Sequence, residues 1–122
     1  MLNLDTHVLI YALEGALTQA ERRLLSGESW SISAIVLWEL AKLRQRKRIM
    51  LDIDSADFSR LLSRIYVWPL DLNVCREIAS LDFHSDPADE IIAATSVVHR
   101  VPLLTRDRKI LESKIVPFAR RS

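Results

Sequence analysis

The sequence predicts an α/β fold in which a mainly parallel sheet carries helices on both faces. Short apolar runs alternate along the chain with segments of helical periodicity, the pattern of strands joined by helical crossovers. The chain is also long enough, at 122 residues, and apolar enough, at 49% hydrophobic against 27% charged, to build one core, so residues 1–122 are expected to form a single domain. Finally, it shows no repeat, linker or low-complexity segment.

The elements follow in order. MLNLD reads as a short strand, and THVLIYALEG as a helix with Thr6 near its start and Gly15 past its end. TQAERRLLSG is a second short helix, with Thr18 as cap and Gly27 as stop. WSIS is a strand, after which Ser33 caps a helix running to about Arg46. Phe58, Leu61, Leu62 and Ile65 recur at helical spacing after Ser55. YVWPL is a strand whose Pro69 favours an end or edge position. NVCREIASLDF is helical, and Asp86 with Pro87 opens a further helix to about Val98. VPLLT is the fourth strand, RDRKILES a final helical turn or two, and KIVPF a candidate edge strand.

Four acids stand where this architecture would gather them. Asp5 ends the first strand, at the edge where parallel sheets bind ligands. Asp107 follows the fourth strand, which is expected beside the first. Asp89 lies in the first turn of the helix opened by Asp86. Glu39 falls between Ile35 and Leu43, inside the apolar arc of its helix. Capping explains the local settings of three of them: Asp5 and Asp107 each precede a helix, and Asp89 occupies the acid position of a capping box, with Asp86 mainly a cap. Glu39 has no such explanation, because burying an unpaired carboxylate is costly. It needs a cation, an opening to solvent or a partner such as Lys42. Acids so gathered repel one another, which points to a divalent cation. With no CxxC and no clustered histidines, an all-oxygen site suits Mg²⁺ or Mn²⁺.

Other features exclude alternatives. The two glycines, Gly15 and Gly27, read as helix stops, so a Gly-rich phosphate loop is ruled out. No apolar run approaches the roughly 20 residues of a membrane span, and the N-terminal residues lack the pattern of a signal peptide. The single Cys75, in a helical pattern, is expected to be a buried thiol in a reducing, cytoplasmic compartment. Net charge is only +1, but Lys42, Arg44, Arg46, Lys47 and Arg48 form a basic cluster, Arg106, Arg108 and Lys109 another, and Arg120 and Arg121 close the chain. Basic clusters near acids could hold a polyanion beside a metal.

These residues together resemble the PIN-domain ribonucleases, and among them the VapC-type toxins of bacterial toxin–antitoxin pairs. The matching stretches are LDTHVLIYAL, SAIVLWELAKL, FHSDPADEIIAATS and LLTRD, in the family's order and over essentially the whole chain. The resemblance implies a PIN-like three-layer α/β/α sandwich with a central, mainly parallel sheet of four to five strands. It implies Mg²⁺- or Mn²⁺-dependent cleavage of RNA, with Asp5, Glu39, Asp89 and Asp107 as catalytic metal ligands and Ser33, Thr105 and Asp86 in support. Lys42, Arg44, Arg46, Lys47, Arg48, Arg106 and Arg108 would then contact RNA. It also implies an antitoxin over the acidic cleft and a homodimer, with the surroundings of Tyr11, Trp38 and Phe58 as docking surfaces. One residue departs from the family: Glu90 stands where many relatives carry Arg, beside the third acid. Three other readings compete: a housekeeping PIN nuclease, a PIN-like module that binds without cleaving, and a receiver-like domain with Asp71 as phosphoacceptor. The last lacks the expected acid pair after strand one and the Lys after the last strand.

Overall fold

The computed structural model describes residues 1–120; Arg121 lies outside them. The order is β1 (Leu2–Leu4), α1 (Thr6–Glu14), α2 (Gln19–Leu25), β2 (Trp30–Ser33), α3 (Ala34–Gln45), α4 (Ala56–Leu62), β3 (Tyr66–Trp68), α5 (Leu72–Glu77), α6 (Pro87–His99), β4 (Leu103–Leu104) and α7 (Arg108–Leu111). A single 3₁₀ turn, Ile78–Ser80, prolongs α5 where the sequence predicts one continuous helix. The strands form a parallel sheet in the order β3-β2-β1-β4. The segment expected as a fifth strand contributes one parallel bridge, Leu103 to Phe118.

Local chemistry sets the boundaries. Gly15, at φ 71°, closes α1 in the left-handed conformation and returns its N–H to the Tyr11 carbonyl. Thr18 and Glu21 form a reciprocal capping box on α2. Ser33 caps α3 by accepting from the Ile35 amide at 3.3 Å. Pro87 occupies the first turn of α6, where its missing N–H costs nothing.

β1 is buried along its whole length, as a central parallel strand must be. Leu4, Ile32, Leu103, Ile92 and Ile110 pack around it without solvent exposure above 1%, and each such side chain stabilises the fold by about 1.5–3 kcal/mol. The middle of α6 is buried on nearly all sides, and beside Ile92 it carries the small residues Ala93, Ala94, Thr95 and Ser96. Such small residues let α6 approach the sheet, close enough for buried Asn3 of β1 to donate to Ser96 Oγ at 2.9 Å.

One expectation fails on burial. Cys75 is exposed, because Val74 is the buried residue of short α5. Of the aromatic residues expected near docking surfaces, Phe58 packs into the core, the more ordinary role for a single aromatic residue, whereas Trp38 is 54% exposed. Among the described residues no helix is long and apolar enough to cross a membrane.

Candidate active site

From β1 the chain steps to β2 and β3 on one side, then returns with β4 on the other side of β1. The segments leaving β1 and β4 diverge, which opens a crevice at the carboxyl edge of the sheet. The crevice is a cleft of about 380 Å³ lined by Asp5, His7, Tyr11, Glu39, Asp86, Asp89, Arg106 and Asp107. The four acids singled out in the sequence therefore share one cavity, although they come from four different segments.

A protein donor holds one oxygen of each acid. Thr105 donates its hydroxyl to Asp5 Oδ2 at 2.6 Å, across 100 residues of chain. The Thr6 hydroxyl donates to Glu39 Oε1. Ser85 donates to Asp89 Oδ2 at 2.9 Å. Asp107 Oδ1 accepts from the amides of Lys109 and Ile110 at the start of α7. Capping thus accounts for Asp107 alone among the four. Asp5 sits at the N-cap position of α1 but makes no side-chain cap bond. Asp86 likewise makes none on α6, contrary to its expected role as a cap, and lines the cleft instead. Glu39 makes no ion pair with Lys42, whose Nζ lies 3.4 Å from Gln45 Oε1.

The electrostatics register this crowding. Burial pushes the Asp5 carboxyl above its ordinary range; the Thr105 hydrogen bond opposes the rise and the charge of Asp107 adds to it. Burial likewise raises Glu39, with the Thr6 hydrogen bond opposing and the charges of Asp89 and Asp5 adding. Asp89 rises for the same first cause, eased by Ser85 and aggravated by Asp5, Asp107 and Asp86. A cation in the cleft would reverse these shifts, since opposite charge favours the ionised form.

The donor set fits a hard cation. The carboxylate oxygens suit Mg²⁺ or Mn²⁺, and no cysteine borders the cleft. Among the described residues no three acidic, histidine or cysteine side chains form a ready-made metal cage. That too is compatible with Mg²⁺, which commonly takes one or two carboxylates and keeps several waters.

The basic residues are arranged differently from expectation. Of those proposed to contact RNA, Arg106 alone lines the cleft, and its charge is already engaged. Nε donates to Glu21 Oε2 at 2.7 Å, Nη2 donates to Glu21 Oε1 at 2.6 Å, and Nη2 also donates to the Ala16 carbonyl at 3.1 Å. The guanidinium lies 3.9 Å from the centre of the Tyr11 ring. Arg106 holds the Glu21 carboxyl down at about 2. Arg44 donates to the carbonyls of Met50 and Leu51, while Arg46, Lys47 and Arg48 are exposed around the end of α3. Lys42 lies 5.9 Å from the centre of the exposed Trp38 ring, and Arg108 is exposed on α7. Ser33 is fully buried as the cap of α3 and takes no place in the cleft lining. Glu90 turns to the preceding loop, where it accepts from the Ser85 amide at 3.2 Å and lies 3.8 Å from His84 Nδ1. Asp71 caps α5 by accepting from the Val74 amide, remote from the cleft lining, which removes the basis for a receiver-like site.

Sequence reasoning missed Thr6, Ser85 and Glu21. Ser85 is a hydroxyl four residues from Asp89, a weak local signal, whereas Thr6 gave none, because its partner Glu39 lies 33 residues away. Glu21 carries no local signal, because its partner lies 85 residues away.

A doubly wound parallel sheet with carboxylates gathered at its switch point defines the class: an α/β domain with an acidic, cation-suited cleft. The chain belongs to the PIN domain family, whose model matches residues 3–114. Its fold is similar to a toxin–antitoxin complex from Klebsiella pneumoniae, at 20% identity and a TM-score of 0.70 over 92% of this chain and 91% of that one. It is similar to VapBC2 from Rickettsia felis bound to a promoter DNA fragment, at 18% identity and a TM-score of 0.72 over 97% of both chains. It also resembles FitAcB from Neisseria gonorrhoeae, at 24% identity and a TM-score of 0.62 over 90% of both. Among curated proteins no sequence matched.

Proposed function

We propose that this chain is a Mg²⁺- or Mn²⁺-dependent endoribonuclease and the toxin of a toxin–antitoxin pair. The observation that carries the reading is the meeting of Asp5, Glu39, Asp89 and Asp107 in one cleft, where burial and mutual charge raise three of the four. A fold stabilised only by packing gains nothing from that arrangement, whereas a cation site requires it. Membership of a family of nucleases and the likeness to toxin–antitoxin complexes support the same reading.

Asp5, Glu39, Asp89 and Asp107 hold the cation, directly or through water. When bound, it supplies an activated water and counter-charge for the phosphate in transit. The residues of the chain do the rest. Thr105, Thr6 and Ser85 each fix one oxygen of a carboxylate, which orients the acid and leaves its second oxygen for a cation. The same hydroxyls oppose the rise that burial imposes on these carboxyls, and so favour their ionised form. Ionised acids would repel an RNA backbone, and a bound cation would offset that repulsion. An antitoxin with a basic segment would block the cleft by attraction to the same acids.

The test is cleavage of RNA by the purified protein with Mg²⁺ or Mn²⁺, beside Asp5→Asn and Glu39→Gln. Each variant is expected to lose activity by roughly a hundredfold or more while keeping its circular dichroism spectrum. Addition of the small protein encoded next door should inhibit the wild type. Full activity of either variant, or of the wild type in excess EDTA, would refute the metal mechanism.

A further inference from the structure

Arg106 is built unlike a simple phosphate contact. A phosphate-binding arginine offers free charge, but two edges of this guanidinium are spent on Glu21 and Ala16. Glu21 is itself 8% exposed and anchored in the capping box of α2, so the brace is rigid. One face of the guanidinium lies on the Tyr11 ring. The side chain still keeps 39% of its surface open at the cleft wall. What remains is a guanidinium held through Nε, through Nη2 and against the Tyr11 ring, with part of its surface still open.

A fixed, half-neutralised plane suits stacking. Unpaired bases of RNA stack on guanidinium planes as well as on aromatic rings, and their edges accept the remaining N–H donors. The geometry points to Arg106 as a nucleobase platform: an unpaired base next to the cleaved phosphodiester lies on the outer face of the guanidinium, with Tyr11 beneath it and Glu21 as the positioning residue. This rests on the ribonuclease reading, and it makes the substrate single-stranded at the site of cleavage.

The test uses fluorescence anisotropy with a labelled single-stranded RNA and the cleavage-silent Asp5→Asn protein in Mg²⁺. In that background Arg106→Lys, which keeps the charge and removes the plane, is expected to weaken binding by about fivefold or more. Replacing single residues of the RNA by abasic sites should find one position that weakens the parent but not Arg106→Lys. Glu21→Gln should weaken binding less than Arg106→Lys, and the distant Arg60→Ala not at all. If Arg106→Lys binds like its parent, Arg106 is a charge contact and the platform is refuted. The ribonuclease reading fails separately, if wild-type protein cleaves no RNA with either cation, and the binding measurements do not depend on that result.

Discussion

Glu21→Gln isolates the ion pair that holds the cleft wall to α2. Glutamine can keep the capping-box bond to the Thr18 amide, but its NH2 cannot accept from Arg106 Nε, so the change removes the charge and one hydrogen bond of the pair. Arg106 first, and hydrogen bonds with Thr18 after it, lower the Glu21 carboxyl from 4.5 to about 2 against the effect of burial, a total displacement equivalent to about 3 kcal/mol. Arg106 is 39% exposed, so solvent screens part of this, and the expected loss of unfolding free energy at pH 7 is about 1–2 kcal/mol. The sign follows from the direction of the shift. A carboxyl that is more acidic in the folded state adds stability that is complete above its unfolded value near 4.5 and drains away as pH falls toward about 2. Urea unfolding of wild type and variant at intervals from pH 7 to pH 3 reads the gap directly. It should be constant down to about pH 5 and narrow steadily below. A gap under about 0.5 kcal/mol at pH 7, the level of a surface pair, or a gap that does not change with pH, would refute the argument.

The acids of the cleft predict the opposite sign. Asp5, Glu39 and Asp89 have raised values, so their ionisation destabilises the cation-free protein above the folded values, and the penalty disappears as pH falls below the ordinary 3.8–4.5. Asp5→Asn should therefore raise the melting temperature in EDTA at pH 7, and added Mg²⁺ should stabilise the wild type more than the variant. A lower melting temperature for Asp5→Asn in EDTA would show that the cleft carries no such strain. Thr6→Val removes a hydrogen bond that lowers Glu39, so Glu39 should protonate at higher pH. The acid limb of the cleavage pH profile should move up, with activity at the optimum reduced by about 10–100-fold; an unmoved limb would separate Glu39 from the reaction.

Most of the fold was legible because it is written locally. The caps at Thr18 and Ser33, the helix start near Ser55 and the stop at Gly15 are short-range chemistry, and they appear where the sequence predicts them. The apolar strand runs were equally plain. Cys75 failed because periodicity says which residues share a face, not how far a short helix sits from the core. Arg106 and the basic cluster failed because residue type gives charge but not partner. Even the correct reading of Glu39 was negative: the sequence could show that an acid broke an apolar face, but not that Thr6 would meet it.

The sequence by itself determined the alternation of strands and helices, their boundaries, and the presence of four acids beyond the edge of a parallel sheet. These follow from dihedral preference, capping and apolar periodicity, which act over a few residues. The tertiary structure decided which carboxylates are caps and which are not, since Asp5 could cap α1 yet bonds Thr105 instead. It also decided that Arg106 is neutralised and braced rather than free. Both outcomes depend on groups separated by 85 and 100 residues, and only the order of strands in the sheet brings those groups within hydrogen-bonding distance.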